Sequence, residues 1–188
     1  MQKRAIALCS VFAMGLMILA APASPQQDKS KRPSPPAHTD FTFADGKTIT
    51  VDYSSPRVKG RKIFGDLEPY GKPWRAGANE ATTFVTNTDL IVGGKAVPTG
   101  EYTLDIVPNP TEWTLIVSKK TKNANGGPVW GIPYPGEEFD LVRTQMKLTK
   151  LDSLVEDMVI AFDKMGMGTT MHLDWETSRG SVEISETK

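Results

Sequence analysis

From residue 40 to the end of the chain, apolar side chains return at every second position rather than every three or four. Ile49, Val51 and Tyr53 alternate with Thr48, Thr50 and Asp52. Tyr102, Leu104 and Ile106 alternate with Glu101, Thr103 and Asp105, and Met171, Leu173 and Trp175 with His172, Asp174 and Glu176. Successive side chains of an extended strand point to opposite faces, so this spacing gives each strand one apolar and one polar side. Trp113, Leu115 and Val117 follow the turn Pro108-Asn109-Pro110. Further strands are expected over residues 142–148, over 154–162, where Leu154, Met158, Ile160 and Phe162 share one side, and at Val182 and Ile184. Gly93-Gly94, between Leu90-Ile91-Val92 and Lys95-Ala96-Val97, marks a two-residue hairpin, whose central positions need positive φ. The chain is therefore expected to be all-β, an antiparallel two-sheet β-sandwich of jelly-roll or immunoglobulin-like type.

The N-terminal end breaks this pattern. Lys3 and Arg4 precede an uncharged, almost wholly apolar run over residues 5–20, and Ala21-Pro22-Ala23 supplies the small-x-small pattern of signal-peptidase cleavage. Residues 1–23 thus read as a signal peptide. The apolar run is shorter than the roughly 20 residues a membrane-spanning helix needs, so no transmembrane span is expected after processing. The expected location is periplasmic or extracellular. Residues 24–39, rich in Pro, Ser and Lys and lacking large apolar side chains, read as a disordered linker. Residues 40–188 are left as one domain.

Composition narrows the chemistry. The chain carries 22 Lys+Arg against 22 Asp+Glu, which disfavours a nucleic-acid binder. Its single Cys, Cys9, falls in the signal segment, so the exported part has no thiol for a disulfide, a nucleophile or a zinc site. His38 belongs to the linker, and His172 shares a strand side with acids, where a solvated or sheet-facing role is expected rather than that of a general base. No G-x-S-x-G elbow, H-E-x-x-H or calcium-loop motif is present, although Asp66, Asn87, Asp89 and Asp140 could supply oxygens. No cofactor or metal is expected.

Three stretches depart from simple strand and turn. Arg57, Lys59, Arg61 and Lys62 form a cationic run with no acid between Asp52 and Asp66. If that run is extended, Arg57, Lys59 and Arg61 project from one side over roughly 13 Å, a row suited to an anionic small molecule or polysaccharide. Pairing with acids elsewhere is the plainer reading. Next, Trp74, Arg75, Asn79 and Glu80 place an aromatic plate, a guanidinium, an amide and a carboxylate within a Gly- and Pro-directed path. Alternatively, Arg75 and Glu80 pair to brace a loop while Trp74 plugs the core. Finally, Trp130-Gly131-Ile132-Pro133-Tyr134-Pro135-Gly136 is expected to cap the core, with stacking on sugar rings as the alternative.

Gly60-Arg61-Lys62-Ile63-Phe64-Gly65 and Trp74-Arg75-Ala76-Gly77-Ala78-Asn79-Glu80 also carry a likeness. With Pro69-Tyr70-Gly71-Lys72-Pro73 and Pro98-Thr99-Gly100-Glu101-Tyr102, they resemble the bacterial family catalogued as domain of unknown function 2911. The resemblance spans roughly residues 40 to 185. It implies an exported all-β domain and transfers no site residue.

The expected function is an exported ligand-binding module for an anionic or glycan-like ligand, through Arg57, Lys59, Arg61, Trp74, Arg75, Asn79 and Glu80. The first alternative is a carboxylate-dependent hydrolase or lyase on a cell-envelope polymer, with Glu80 as its leading carboxylate. A structural or protein-interaction module is the other.

Overall fold

The computed structural model describes residues 28–187. The segment read as a signal peptide, residues 1–23, lies outside the described residues, as does the start of the linker. Nine strands follow one another: β1 (Pro36–Thr42), β2 (Thr48–Ser54), β3 (Thr82–Thr86), β4 (Leu90–Val92), β5 (Lys95–Val97), β6 (Gly100–Val107), β7 (Trp113–Ser118), β8 (Asp140–Met165) and β9 (Gly168–Glu186). Two single 3-10 turns, Lys29–Lys31 and Glu137–Phe139, are the helical elements among the described residues. Neither is long or apolar enough to cross a membrane.

Every strand pairing is antiparallel, and the order across the sheet is β1-β2-β3-β6-β7-β8-β9-β4-β5. Hydrogen bonding runs through all nine strands, so the fold is one large antiparallel sheet. The expected strands at 142–148 and 154–162 are one strand, β8, and those at 171–175 and 182–184 are one strand, β9. Gly93 and Gly94 have φ of 53° and 80°, and Val92 faces Lys95 across the expected hairpin.

The long β8–β9 hairpin bends partway along. Between Lys150 and Val159 in β8, the partner strand passes only from Ser178 to Asp174. The surplus bulges outward, leaving Leu154 57% exposed, against its expected core role, while Met158 and Ile160 are buried. Glu176 of β9 sits at φ 58°, and the inward set changes there from Met171, Leu173 and Trp175 to Val182 and Ile184. One surplus position in a period of two exchanges the faces of a strand. The bend brings Gly168 against the backbone of Ile184 and Ser185.

Residues 54–83, which depart from simple strand and turn in the sequence, are woven into the fold. Met158 N donates to Pro56 O (2.9 Å) and Val58 N to Glu156 O (2.9 Å), so the chain after β2 pairs with the distal part of β8. Trp74 exchanges both backbone hydrogen bonds with Ile106, at 2.8 and 2.7 Å, beyond the start of β3. Phe64 and Trp74 then enter the core. Phe64 lies 4.5 Å from the Trp113 ring, and Trp74 stacks on Trp175 at 5.5 Å and 22°. The linker is shorter than expected, because residues 36–39 belong to β1, where Pro36 faces Ser54 and Thr39 faces Val51. The ladder with β2 pairs the backbone of these residues and so orders them although they lack large apolar side chains.

Gly180 lies beneath the Trp113 ring so closely that an added Cβ would overlap Cε3. Gly180→Ala is expected to destabilise the domain by about 1–3 kcal/mol through overpacking, read from urea unfolding midpoints.

Candidate functional site

The residues expected to form a site do not converge. Lys59 (φ 48°) and Gly60 (φ 68°) turn the chain, so the extended cationic row is not formed. Arg57 pairs through Nε with Asp157 at 2.7 Å, and Lys59 N donates to Glu156 Oε1 at 2.8 Å. Arg61 curls back, its Nε donating to Val58 O at 3.0 Å and its Nη2 to Arg57 O. Acids on distal β8, far along the chain, thus engage this run. Trp74 is 6% exposed, and its Nε1 donates to Gly77 O, so it is a core residue and not a ligand plate.

Arg75 and Glu80 form no ion pair. Glu80 is gripped instead from the segment read as linker: Arg32 Nη1 reaches both its oxygens at 3.0 and 2.9 Å, and Lys29 Nζ lies at 3.1 Å. Burial works against ionisation of Glu80, but its own backbone N–H, Lys29 and Arg32 outweigh it and bring the carboxyl down to about 2. Beside it, Asn79 Nδ2 donates to Ser34 O at 2.9 Å. These contacts fasten residues 29–34 to the domain along a groove of about 250 Å³ that includes Tyr53, Glu80, Thr83 and Pro128.

Arg75 belongs to a different cluster, on the polar side of β6. Asp105 is 3% exposed, and its Oδ1 has no hydrogen-bond partner among the described residues. Arg75 Nε is likewise buried and unpartnered, while its Nη1 donates to Trp130 O at 2.9 Å and its guanidinium lies 5.9 Å from the Trp130 ring. Trp130 is 53% and Ile132 62% exposed, so this stretch overhangs the surface rather than capping the core. Tyr134 donates its hydroxyl to Asp140 Oδ1, and Arg143 Nη1 donates to Asp140 Oδ2 at 2.7 Å, tying the overhang to β8.

Burial dominates the electrostatics here. It pushes the Asp105 carboxyl up to about 7, with the negative Asp140 adding to the effect and Arg75 opposing it. It likewise raises Glu68 to about 7, against the pull of Arg75 and Arg61. Arg75 is itself lowered by burial, which Glu68, Asp105 and Glu80 partly offset. The arrangement holds an unpartnered buried donor, an unpartnered buried acceptor and, against Arg75, a half-exposed indole. Glu68 and Asp105 are the members that sequence reasoning missed. Asp105 occupies a polar position in strict alternation, which reads as solvent-facing, and pairing opposite Ile116, itself fully buried, was the missing signal.

His172 is buried rather than solvated. Its Nδ1 lies 3.0 Å from Asp174 Oδ1 and its Nε2 3.4 Å from Asp163 Oδ2, while Arg179 grips both Asp174 oxygens at 2.7 and 2.6 Å. No side-chain hydroxyl hydrogen-bonds the ring among the described residues, so the network braces the bent hairpin. Among the described residues no group of three or more His, Cys, Asp or Glu is arranged to hold a metal ion.

The motifs around the Arg75–Asp105 cluster have a wider setting. A family model described as "Protein of unknown function (DUF2911)" matches residues 34–184. The chain belongs to the DUF2911 family. Comparison with curated proteins and with solved structures returned no match. The DUF2911 match covers the Arg32–Glu80 clasp only from the Glu80 side, and it includes the whole Glu68, Arg75, Asp105 and Trp130 cluster.

The charges of the two clusters set their response to pH and to mutation. Asp105 has a folded-state value of about 7 against an ordinary 3.8, so the stability it contributes is full below about pH 4 and is lost as pH rises through 7. Asp105→Asn is expected to flatten that dependence and to stabilise the domain at pH above 7 by on the order of 2 kcal/mol, measured by urea unfolding across pH. Arg32→Ala and Glu80→Ala are each expected to cost about 1–2 kcal/mol, with the double variant little worse than either. Arg75→Ala combined with Glu80→Ala is expected to be additive in the same assay.

Proposed function

We propose that this domain is an exported ligand-binding module for an anionic or glycan-like ligand, seated at the surface where Trp130 lies against Arg75, whose charge acts on Asp105. The observation that carries the reading is the coincidence of an exposed indole with a buried donor, Arg75 Nε, and a buried acceptor, Asp105 Oδ1, that the protein itself leaves unmatched. Buried polar atoms are almost always paired, and leaving one unpaired costs about 1–3 kcal/mol. Aromatic faces beside hydrogen-bonding groups are the common furniture of ligand pockets. Export rests on the pattern of residues 1–23. The finer fold reading, two facing layers of a sandwich, is supported by side chains of β2, β6 and β7 meeting those of distal β9 in one core.

A hydrolase reading is favoured by one observation, the two carboxyls at Glu68 and Asp105 that share the influence of Arg75 and both lie near 7. In that reading they replace Glu80, which Arg32 and Lys29 hold.

Calorimetric titration with soluble envelope glycans and organic acids is the test. Trp130→Ala is expected to abolish binding of any hit while leaving the melting temperature unchanged, because the ring is mostly solvated. Undiminished binding in that variant defeats the assignment. Turnover of a bound glycan, lost in Glu68→Gln and Asp105→Asn, would move the reading to the hydrolase.

A further inference from the structure

Residues 29–35 sit on the domain as a ligand sits on a receptor. We propose that Glu80, Asn79 and the Ser55 backbone N–H form a docking site for a basic, proline-containing segment of a partner protein, which the chain's own residues 29–35 occupy in this structure.

The receiving side is built without that segment. Gly77 O accepts from Trp74 Nε1 at 3.0 Å, and Ala76 O accepts from Thr82 Oγ1 at 2.9 Å. Ala78 N donates to Ser54 O at 3.1 Å and Ala81 N to Val129 O at 3.0 Å. These bonds tie residues 76–81 to the domain, and none of them involves residues 28–35. Asn79 and Glu80 are therefore held in place whether or not anything is docked on them. A receptor set in advance loses little freedom on binding.

The occupant, by contrast, is lightly held. No residue from 28 to 35 is buried. The segment hangs on polar contacts: Arg32 and Lys29 on the Glu80 carboxylate, Ser34 O on Asn79 Nδ2 at 2.9 Å, and Pro35 O on Ser55 N at 2.9 Å. Segments that bury little apolar surface open locally at a fraction of the global stability. The Glu80 side chain is 25% exposed, and the groove of about 250 Å³ beside it gives an incoming cation access. Asn79 and Glu80 lie within the residues that the DUF2911 model matches, whereas Lys29 and Arg32 precede them.

The contacts within the chain state what the site reads. One carboxylate takes a Lys and an Arg three residues apart. An amide and a backbone N–H then take the carbonyls two and three residues beyond that Arg. Pro33 and Pro35 fix their own φ and keep the residues before them extended, which lowers the cost of ordering the segment. The pattern is Lys-x-x-Arg-Pro-x-Pro. An acidic segment would meet like charge at Glu80 and at Asp52, which also lines the groove.

The test uses the chain from residue 24 onward and a fluorescein-labelled peptide copying residues 28–36, followed by anisotropy. In the native chain the tethered segment competes at about millimolar effective concentration, so peptide binding is expected to be weak. Lys29→Ala with Arg32→Ala empties the carboxylate and is expected to strengthen binding about tenfold or more, with the affinity falling as salt rises. Adding Glu80→Gln is expected to abolish that gain. Because both cations are already gone, it is expected to leave the urea midpoint nearly unchanged, which separates lost recognition from lost folding. A peptide with Ala in place of its Arg is expected not to bind. No stronger binding in the opened variant, or binding that survives Glu80→Gln, overturns the docking site and leaves residues 29–35 as a fixed part of the fold. Self-association of the native chain in sedimentation, removed by Glu80→Gln, overturns the partner protein as occupant and puts a second copy there. Glycan binding at Trp130 is read by different variants, so neither result decides the other.

Discussion

The structure depends on four aromatic rings from three separate parts of the chain. Phe64 and Trp74 come from the irregular segment, Trp113 from β7 and Trp175 from distal β9, and their centroids lie 4.5 to 6.2 Å apart. Each buries on the order of 150–250 Å², which at about 25 cal/mol per Å² makes every ring a several-kcal/mol contributor. A sheet that bends through β8 and β9 leaves an interior gap that short strand residues cannot fill. Phe64 and Trp74 fill it, and that accounts for why residues 54–83 are drawn inward and hydrogen-bonded to β6 and β8. The arrangement carries a cost, since Trp175 Nε1 is buried with no acceptor among the described residues.

Much of the strand content was legible because alternation is a local signal. Ile49, Val51 and Tyr53, or Met171, Leu173 and Trp175, report their own faces with no knowledge of neighbours. The Gly93-Gly94 hairpin was legible because its turn geometry selects its residues. What the alternation cannot report is a second covering. Asp105 and Thr103 occupy polar positions of β6 and are nevertheless buried, because loops close over that side. Partners at long separation were equally hidden. Arg57 meets Asp157 and Glu80 meets Arg32, whereas local reading matched Glu80 with the nearer Arg75. The continuity of β8 across its bulges was hidden as well, since the polar residues of the outward loop looked like a break between strands.

The Arg75–Asp105 cluster differs from most of the molecule. Apart from Trp175 Nε1 in the core, buried polar side chains among the described residues are matched: Asn79, Thr82, Ser55 and Glu80 each find partners. Around Asp105 the chain keeps a buried carboxyl without a full complement of bonds, beside a guanidinium disfavoured by its own burial. Local inconsistency set in a consistent fold is the physical signature of a place shaped for something other than stability. On the proposed binding reading, folding energy given up there would be returned when a ligand brings the missing donor and acceptor.

The bend at Glu176 also sets how the chain tolerates change in length. A residue gained or lost near φ 58° at Glu176 would swap the interior and exterior sides of everything downstream, presenting Glu183 to the core in place of Val182 and Ile184. Across the hairpin, Asp152, Ser153 and Leu154 already stand outside the ladder in solvent, with no facing partner to fall out of step. Grafts and reporter peptides therefore have a natural berth on one arm of this hairpin and none on the other.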